Sequence, residues 1–165
     1  MITPEYIQIM ARYNGWQNRS LYMAASGLSE AARQQDRGAF FGSIHGTLSH
    51  ILFGDTIWMS RFDGWDAPEN NIAKSTSLGG DWASLVTKRR EADDRILDWA
   101  ARVSEADLSG EISWFSGAVN REVCKPRVLL ITHMFNHQTH HRGQVHAMLT
   151  AAGAKPDDTD LPFME

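Results

Sequence analysis

The sequence predicts an all-α protein built as a four-helix bundle, with a long crossover and a short hairpin or loop ahead of the last long helix. Three observations carry that reading. Four long segments place apolar residues three to four positions apart, the spacing that lines them along one helix face. The ends of these segments bear start and stop residues, most plainly Thr3-Pro4 before the first and Gly153 after the last. The chain has 165 residues, 42% hydrophobic and 22% charged, which is the length and mix of one globular domain over residues 1–165.

The first helix opens with Thr3 as N-cap, Pro4 in the first helical position and Glu5 in the first turn. It carries Tyr6, Ile9, Met10, Tyr13, Trp16 and Leu21 to about Ser26, where Gly27 closes it. The second spans roughly Ala39 to Phe62, with Ile44, Leu48, Ile51, Trp58 and Phe62 as its buried stripe. Residues 63–80 form a polar, Gly/Pro-bearing link without periodicity, suited to a crossover. The third helix starts near Asp81 and is lined by Trp82, Leu85, Val86, Ile96, Leu97, Trp99 and Val103. Its charged middle, Lys88 to Arg95, reads as a solvated face. In residues 111–123, Ile112 and Trp114 on one side and Val119 and Val123 on the other flank Ser116-Gly117, as in a short hairpin or an irregular loop. The fourth helix begins at Pro126 and ends at Ala152, and the tail from Lys155 reads as an extended strap.

Composition narrows the function. The formal charge is −4 and no Lys/Arg run exceeds Lys88-Arg89-Arg90, so no basic surface is offered to nucleic acid or an anionic membrane. A repressor-like helix-turn-helix would need shorter helices and a basic recognition helix. The single cysteine, Cys124, excludes an intrachain disulfide and a cysteine-rich zinc site, and reads as a small buried residue. No apolar stretch approaches the ~20 residues of a membrane span. Pro4, Glu5 and Gln8 break any secretory signature, so a cytoplasmic location is expected. Trp65 and Trp114 lie in connections, where they can line a pocket mouth.

Histidine is the unusual feature: seven in all, five of them from His133 to His146. With His137 at zero on a helical wheel, Leu130 and Met148 fall within about 20 degrees and His141 at about 40 degrees. His137 and His141 therefore share the bundle-facing stripe, one turn apart. A lone histidine on an apolar face is ordinarily a hydrogen-bonded core residue. Two buried imidazoles one turn apart repel if charged and need partners if neutral, and a cation satisfies both. The usual third ligand must come from another helix. His50 is the better candidate on the second helix, because Gly46 and Gly54 at i−4 and i+4 leave its face open. His133 and His140 flank the stripe as rim residues, possible partners of a carboxylate such as Asp55. His45 and His146 read as surface residues, and Arg142 as a packing residue or the partner of a carboxylate.

The run Thr-His-Met-Phe-Asn-His-Gln-Thr-His-His-Arg-Gly-Gln-Val from Thr132 to Val145 resembles the signature of the DinB family of bacterial four-helix proteins. So do Tyr13-Asn14-Gly15-Trp16-Gln17-Asn18, Thr47-Leu48-Ser49-His50-Ile51-Leu52 with Asp55 and Trp58, and the ending Pro156-Asp157-Asp158-Thr159-Asp160-Leu161. The resemblance implies a DinB/YfiT-like bundle, often a homodimer, with a metal triad at His50, His137 and His141. It implies nickel or zinc, sometimes iron or manganese, with water completing the coordination. In the wider superfamily, such sites serve transferase or isomerase chemistry with low-molecular-weight thiols.

Two functions follow. One is a metal-dependent enzyme, a thiol S-transferase or hydrolase acting on a small molecule, whose catalytic residues beyond the ligands are not assigned. The other is a non-catalytic metal- or small-ligand-binding protein of the stress response. A closed structural zinc site normally takes four protein ligands, and no fourth is obvious, which favours the enzyme. Val128, Ile131, Phe135 and Leu149 form a second apolar strip on the fourth helix, about 120–180 degrees from His137. Either a second subunit covers it, or the hairpin or tail does.

Overall fold

The computed structural model describes residues 2–69, 71–117 and 119–164. It is mostly helical, with one two-stranded sheet. The helices are α1 (Pro4–Ser26), α2 (Glu30–Gln34), α3 (Ile44–Phe62), α4 (Trp82–Arg102) and α5 (Arg127–Ala151). Strands β1 (Glu111–Ser116) and β2 (Arg121–Pro126) precede α5, and 3₁₀ turns lie at Ile72–Ser77, Ala106–Leu108 and Leu161–Phe163.

Side chains fix the helix starts. Thr3, Ser43 and Asp81 accept hydrogen bonds from the backbone N–H groups of Tyr6, Gly46 and Ser84, each cap worth about 1 kcal/mol. The second long helix thus starts at Ile44, five residues later than the expected Ala39, because Ser43 is the capping residue. Residues 39–43 instead make a tight turn closed by an Ala39–Gly42 bridge, which sets Phe41 against α3. At the far end of the chain, Gly153 takes φ +81, a conformation that ends α5 and that side chains resist.

The four long helices close a ring: α3 packs on α5, α5 on α1, α1 on α4 and α4 on α3. One contiguous core fills it, with Ile7, Leu21, Leu48, Ile51, Leu85, Ile96, Met134 and Val145 among its buried members. Because α5 is wedged between α3 and α1, it needs two apolar faces. Ile131, Phe135 and Leu149 are accordingly buried within the chain, and Tyr6 of α1 meets Phe135 edge-on at 6.2 Å. Ile131, Phe135 and Leu149 of the second strip are therefore filled by contacts within the chain, with Tyr6 of α1 against Phe135.

β1 and β2 pair antiparallel, as the hairpin reading of this segment expects, with Trp114 opposite Val123 and Ile112 opposite Lys125. Alternate β1 residues, Ile112 and Trp114, turn inward as the two-residue strand period requires. Val119 lies in the turn and is exposed. Cys124 is exposed, beside Glu111 across the ladder, contrary to its reading as a buried residue. The tail runs extended across α1. Tyr13 and Gln17 donate to the carbonyls of Thr159 and Asp158, and Asp157 N–H donates to Ser20 Oγ. These three α1 residues share one helix face.

The middle of α4 is not wholly solvated. Arg89 is 2% exposed and holds Asp55 at 2.5 Å and Asp93 at 2.9 Å. Gln138 of α5 donates to Asp55 and accepts from Asn14 of α1, while Asn18 donates to Asp93. One buried polar network thus ties together all four long helices. Asp55 is committed to it, and does not serve His133 or His140. Arg142 is buried against the ring of Tyr13 and donates to Thr139, a packing role. Trp65 sits in the core beneath Arg95, away from the pocket that Trp114 lines.

Candidate metal centre

The structure brings His50, His137 and His141 together, with one ring nitrogen from each lying within 4.8 Å of the others. His50 Nε2 and His137 Nε2 are 3.0 Å apart. Helix geometry accounts for the convergence: α3 and α5 pack face to face, and the i, i+4 step puts both α5 imidazoles on the face that meets α3. Gly54 makes the close approach feasible. A Cβ there would lie 2.8 Å from His137 Cε1, so the imidazole occupies the space that a side chain would fill.

The outer ring nitrogens are held. His50 Nδ1 lies 2.9 Å from Ser75 Oγ, and His141 Nδ1 lies 2.8 Å from Gln144 Oε1. An amide oxygen can only accept, so His141 carries its proton on Nδ1 and leaves Nε2 with a free lone pair. Gln144 Nε2 in turn donates to His140 Nε2. Phe41 stacks on His50 with ring centroids 3.6 Å apart and meets His141 edge-on. His50 and His141 are thus oriented by packing and by hydrogen bonds on their far sides, the usual support of a metal-ligating histidine.

Burial keeps these rings neutral. It depresses His50 to about 4, helped by the neighbouring His141. It depresses His137 to about 3, with His141, His50, His133 and His140 adding to the effect. His141 is also lowered, first by burial, against the opposing hydrogen bond to Gln144. Neutral imidazoles with lone pairs turned to one point are the state a divalent cation needs. The donor set therefore fits an ion, and no fourth His, Cys, Asp or Glu joins the cluster among the described residues.

The cluster opens into a cavity of about 930 Å³ between α3, α5, the hairpin and the 3₁₀ turn at Ile72–Ser77. Phe53, Ile57, Trp58 and Trp114 give it apolar walls, and His133 and His140 stand on its rim. His133 is lowered by burial and lies edge-on to Trp58. The two remaining histidines are elsewhere. His45 is buried and bonds through Nε2 to the Gly80 carbonyl, contrary to its reading as a surface residue, and His146 is half-buried.

Ser75, Gln144 and Phe41 are parts of the site that sequence reasoning missed. Gln144 was within reach, since a residue three positions after His141 shares its helix face. Ser75 and Phe41 come from irregular segments, whose placement no periodicity encodes.

Fold and site define a class: a helical protein whose three-histidine cluster opens on an apolar cavity. The DinB family profile matches residues 1–165. The chain is also similar to Protein DinB of Bacillus subtilis (strain 168), 24% identical over 153 residues that cover 90% of this chain and 87% of that protein. The chain belongs to the DinB family.

Proposed function

We propose that this protein is a four-helix-bundle metalloenzyme that binds one divalent ion, nickel or zinc, through His50, His137 and His141, and that it transfers a thiol to a small-molecule electrophile. The observation that carries the reading is the approach of the three neutral imidazoles at the end of a cavity large enough for a substrate. An ion held by these three residues would supply Lewis acidity, lowering the pKa of a water or thiol bound to it.

The chain's own residues favour thiol transfer over hydrolysis. No Asp or Glu lines the cavity among the described residues, so no carboxylate base stands ready to activate water. A thiol needs less help, because its own pKa is close to neutrality. His133, edge-on to Trp58 on the cavity rim and lowered from the ordinary imidazole value, can accept the proton that a thiol gives up. Trp58, Trp114 and Phe53 exclude water and hold an apolar reactant. No helix among the described residues is long and apolar enough to cross a membrane.

The test is metal analysis of protein purified without an affinity tag, followed by thiol-conjugation and esterase assays on the metal-loaded form. Thiol conjugation that disappears in His137→Ala, together with negligible esterase activity, supports the reading. Esterase activity without conjugation would assign hydrolysis instead.

A further inference from the structure

Arg61 stands apart from the other charged residues of the molecule. Among the described residues it is the one Lys, Arg, Asp or Glu side chain that lines the 930 Å³ cavity. Among the described residues no carboxylate pairs with it, whereas Arg89 and Arg102 each hold an aspartate. Its guanidinium lies 4.7 Å from the ring centre of Trp58 and 5.2 Å from that of Trp114. It is half-buried, and burial lowers its pKa from the ordinary arginine value. Two indoles thus border the guanidinium, and the fork of an arginine is matched to a planar, bidentate anion.

Its position relative to the histidines gives the site a direction. His50, Gly54, Ile57 and Arg61 follow at i, i+4, i+7 and i+11 on α3, and all four line the cavity. His50 and Arg61 thus lie within about 20 degrees of each other, three turns or roughly 16 Å apart along the axis. Helical side chains lean toward the N-terminus, so Arg61 reaches back over Trp58 and shortens that gap. The cavity therefore has a histidine end, an apolar middle and a cationic end.

We infer that Arg61 is a specificity-determining residue that captures the anionic end, carboxylate or phosphate, of an elongated apolar ligand whose other end lies at the histidine cluster. This rests on the cavity being the substrate site of the proposed function, but not on the metal. A half-buried cation already stripped of part of its water gains more from an anion than an exposed one does. Among the described residues the surrounding walls hold no acid that would compete.

The test is calorimetric titration of the full chain with 4-phenylbutyrate, its uncharged amide 4-phenylbutanamide, and 3-phenylpropyl phosphate. Each is run on chelator-treated and on zinc-loaded protein, with bound zinc counted separately. In chelator-treated wild type, at least one anion should bind about tenfold more tightly than the amide, as one charge-assisted pair provides. Arg61→Gln should abolish that preference and Arg61→Lys should keep part of it, with the zinc content of both variants unchanged. The tighter of the two anions identifies the head group. No preference for either anion in chelator-treated wild type overturns the inference. So does a preference that appears only with zinc and survives Arg61→Gln, because the anion then sits on the ion. Failure to bind zinc at all would overturn the metal reading while leaving the Arg61 result intact.

Discussion

His50 Nε2 faces His137 Nε2 across 3.0 Å, each on a long helix packed into the core. Two neutral imidazoles at that distance satisfy each other only if one gives up its lone pair to carry a proton. A cation between them satisfies both, and His141 completes the set. The site's properties follow from how that pair is held.

Gly54 is the first control point. Replacing it by alanine places a methyl group 2.8 Å from His137 Cε1 and must push the ring away. In a helix interior the same change favours the backbone by roughly 0.5–1 kcal/mol. Gly54→Ala should therefore lower metal affinity at least about tenfold while the melting temperature of the metal-free protein stays level or rises. Equal metal affinity in wild type and variant would show that His137 is not held where the geometry puts it.

The outer hydrogen bonds are the second. Ser75→Ala removes the partner of His50 Nδ1, and Gln144→Leu removes that of His141 Nδ1. Partners of this kind are typically worth ~10–100-fold in metal affinity. Competition with a chelator of known affinity measures the loss in each variant. Gln144 is partly exposed, so its substitution should leave the unfolding midpoint in urea nearly unchanged.

Acid should act later than free histidine would indicate. His50 titrates at about 4 and His137 at about 3, both below the ~6.5 of an unfolded imidazole. Between those values the unfolded chain binds more protons than the folded one, so the metal-free protein loses stability as pH falls below about 6.5. Protons compete for the ligand nitrogens only as pH nears the folded values. Dialysed protein should keep its ion at about pH 5.5 and lose it towards about pH 4, lower than imidazole chemistry alone predicts. A release midpoint above about pH 6 would contradict the burial argument.

Much of this was legible from spacing. The helix starts were written in Thr3, Asp81 and the Gly153 stop, and the pairing of His137 with His141 follows from a four-residue step. His50 was readable through the two glycines beside it, and Gly54 proves to be space for His137. Other features were hidden because they depend on what the far side of a residue meets. Arg89 and Asp93 sit in a charged run that looks solvated, yet α4 turns them to Asp55 and Asn18 inside the ring. The apolar strip of α5 looks unpartnered because a helix wheel cannot show that two helices flank it. Phe41 reaches His50 through a turn of irregular backbone, and Ser75 through a 3₁₀ turn in a link that carries no periodicity.

That internal network should dominate stability. Arg89→Met leaves Asp55 and Asp93 without their cation, and removing one partner of a buried pair costs about 3–5 kcal/mol. Urea unfolding of the metal-free protein should register that loss. Arg102→Met removes a pair whose arginine is exposed and should change stability by under about 1 kcal/mol. Equal effects from the two substitutions would mean that the network contributes no more than a surface contact.

The most direct measurement of the central claim is metal stoichiometry by mass spectrometry of untagged wild type, His50→Ala, His137→Ala, His141→Ala and His146→Ala, all loaded and dialysed alike. The account predicts one divalent ion per chain in wild type and in His146→Ala, and its loss in each of the three cluster variants with the helical circular dichroism retained. Retention of a full equivalent by any one of those three folded variants would contradict it.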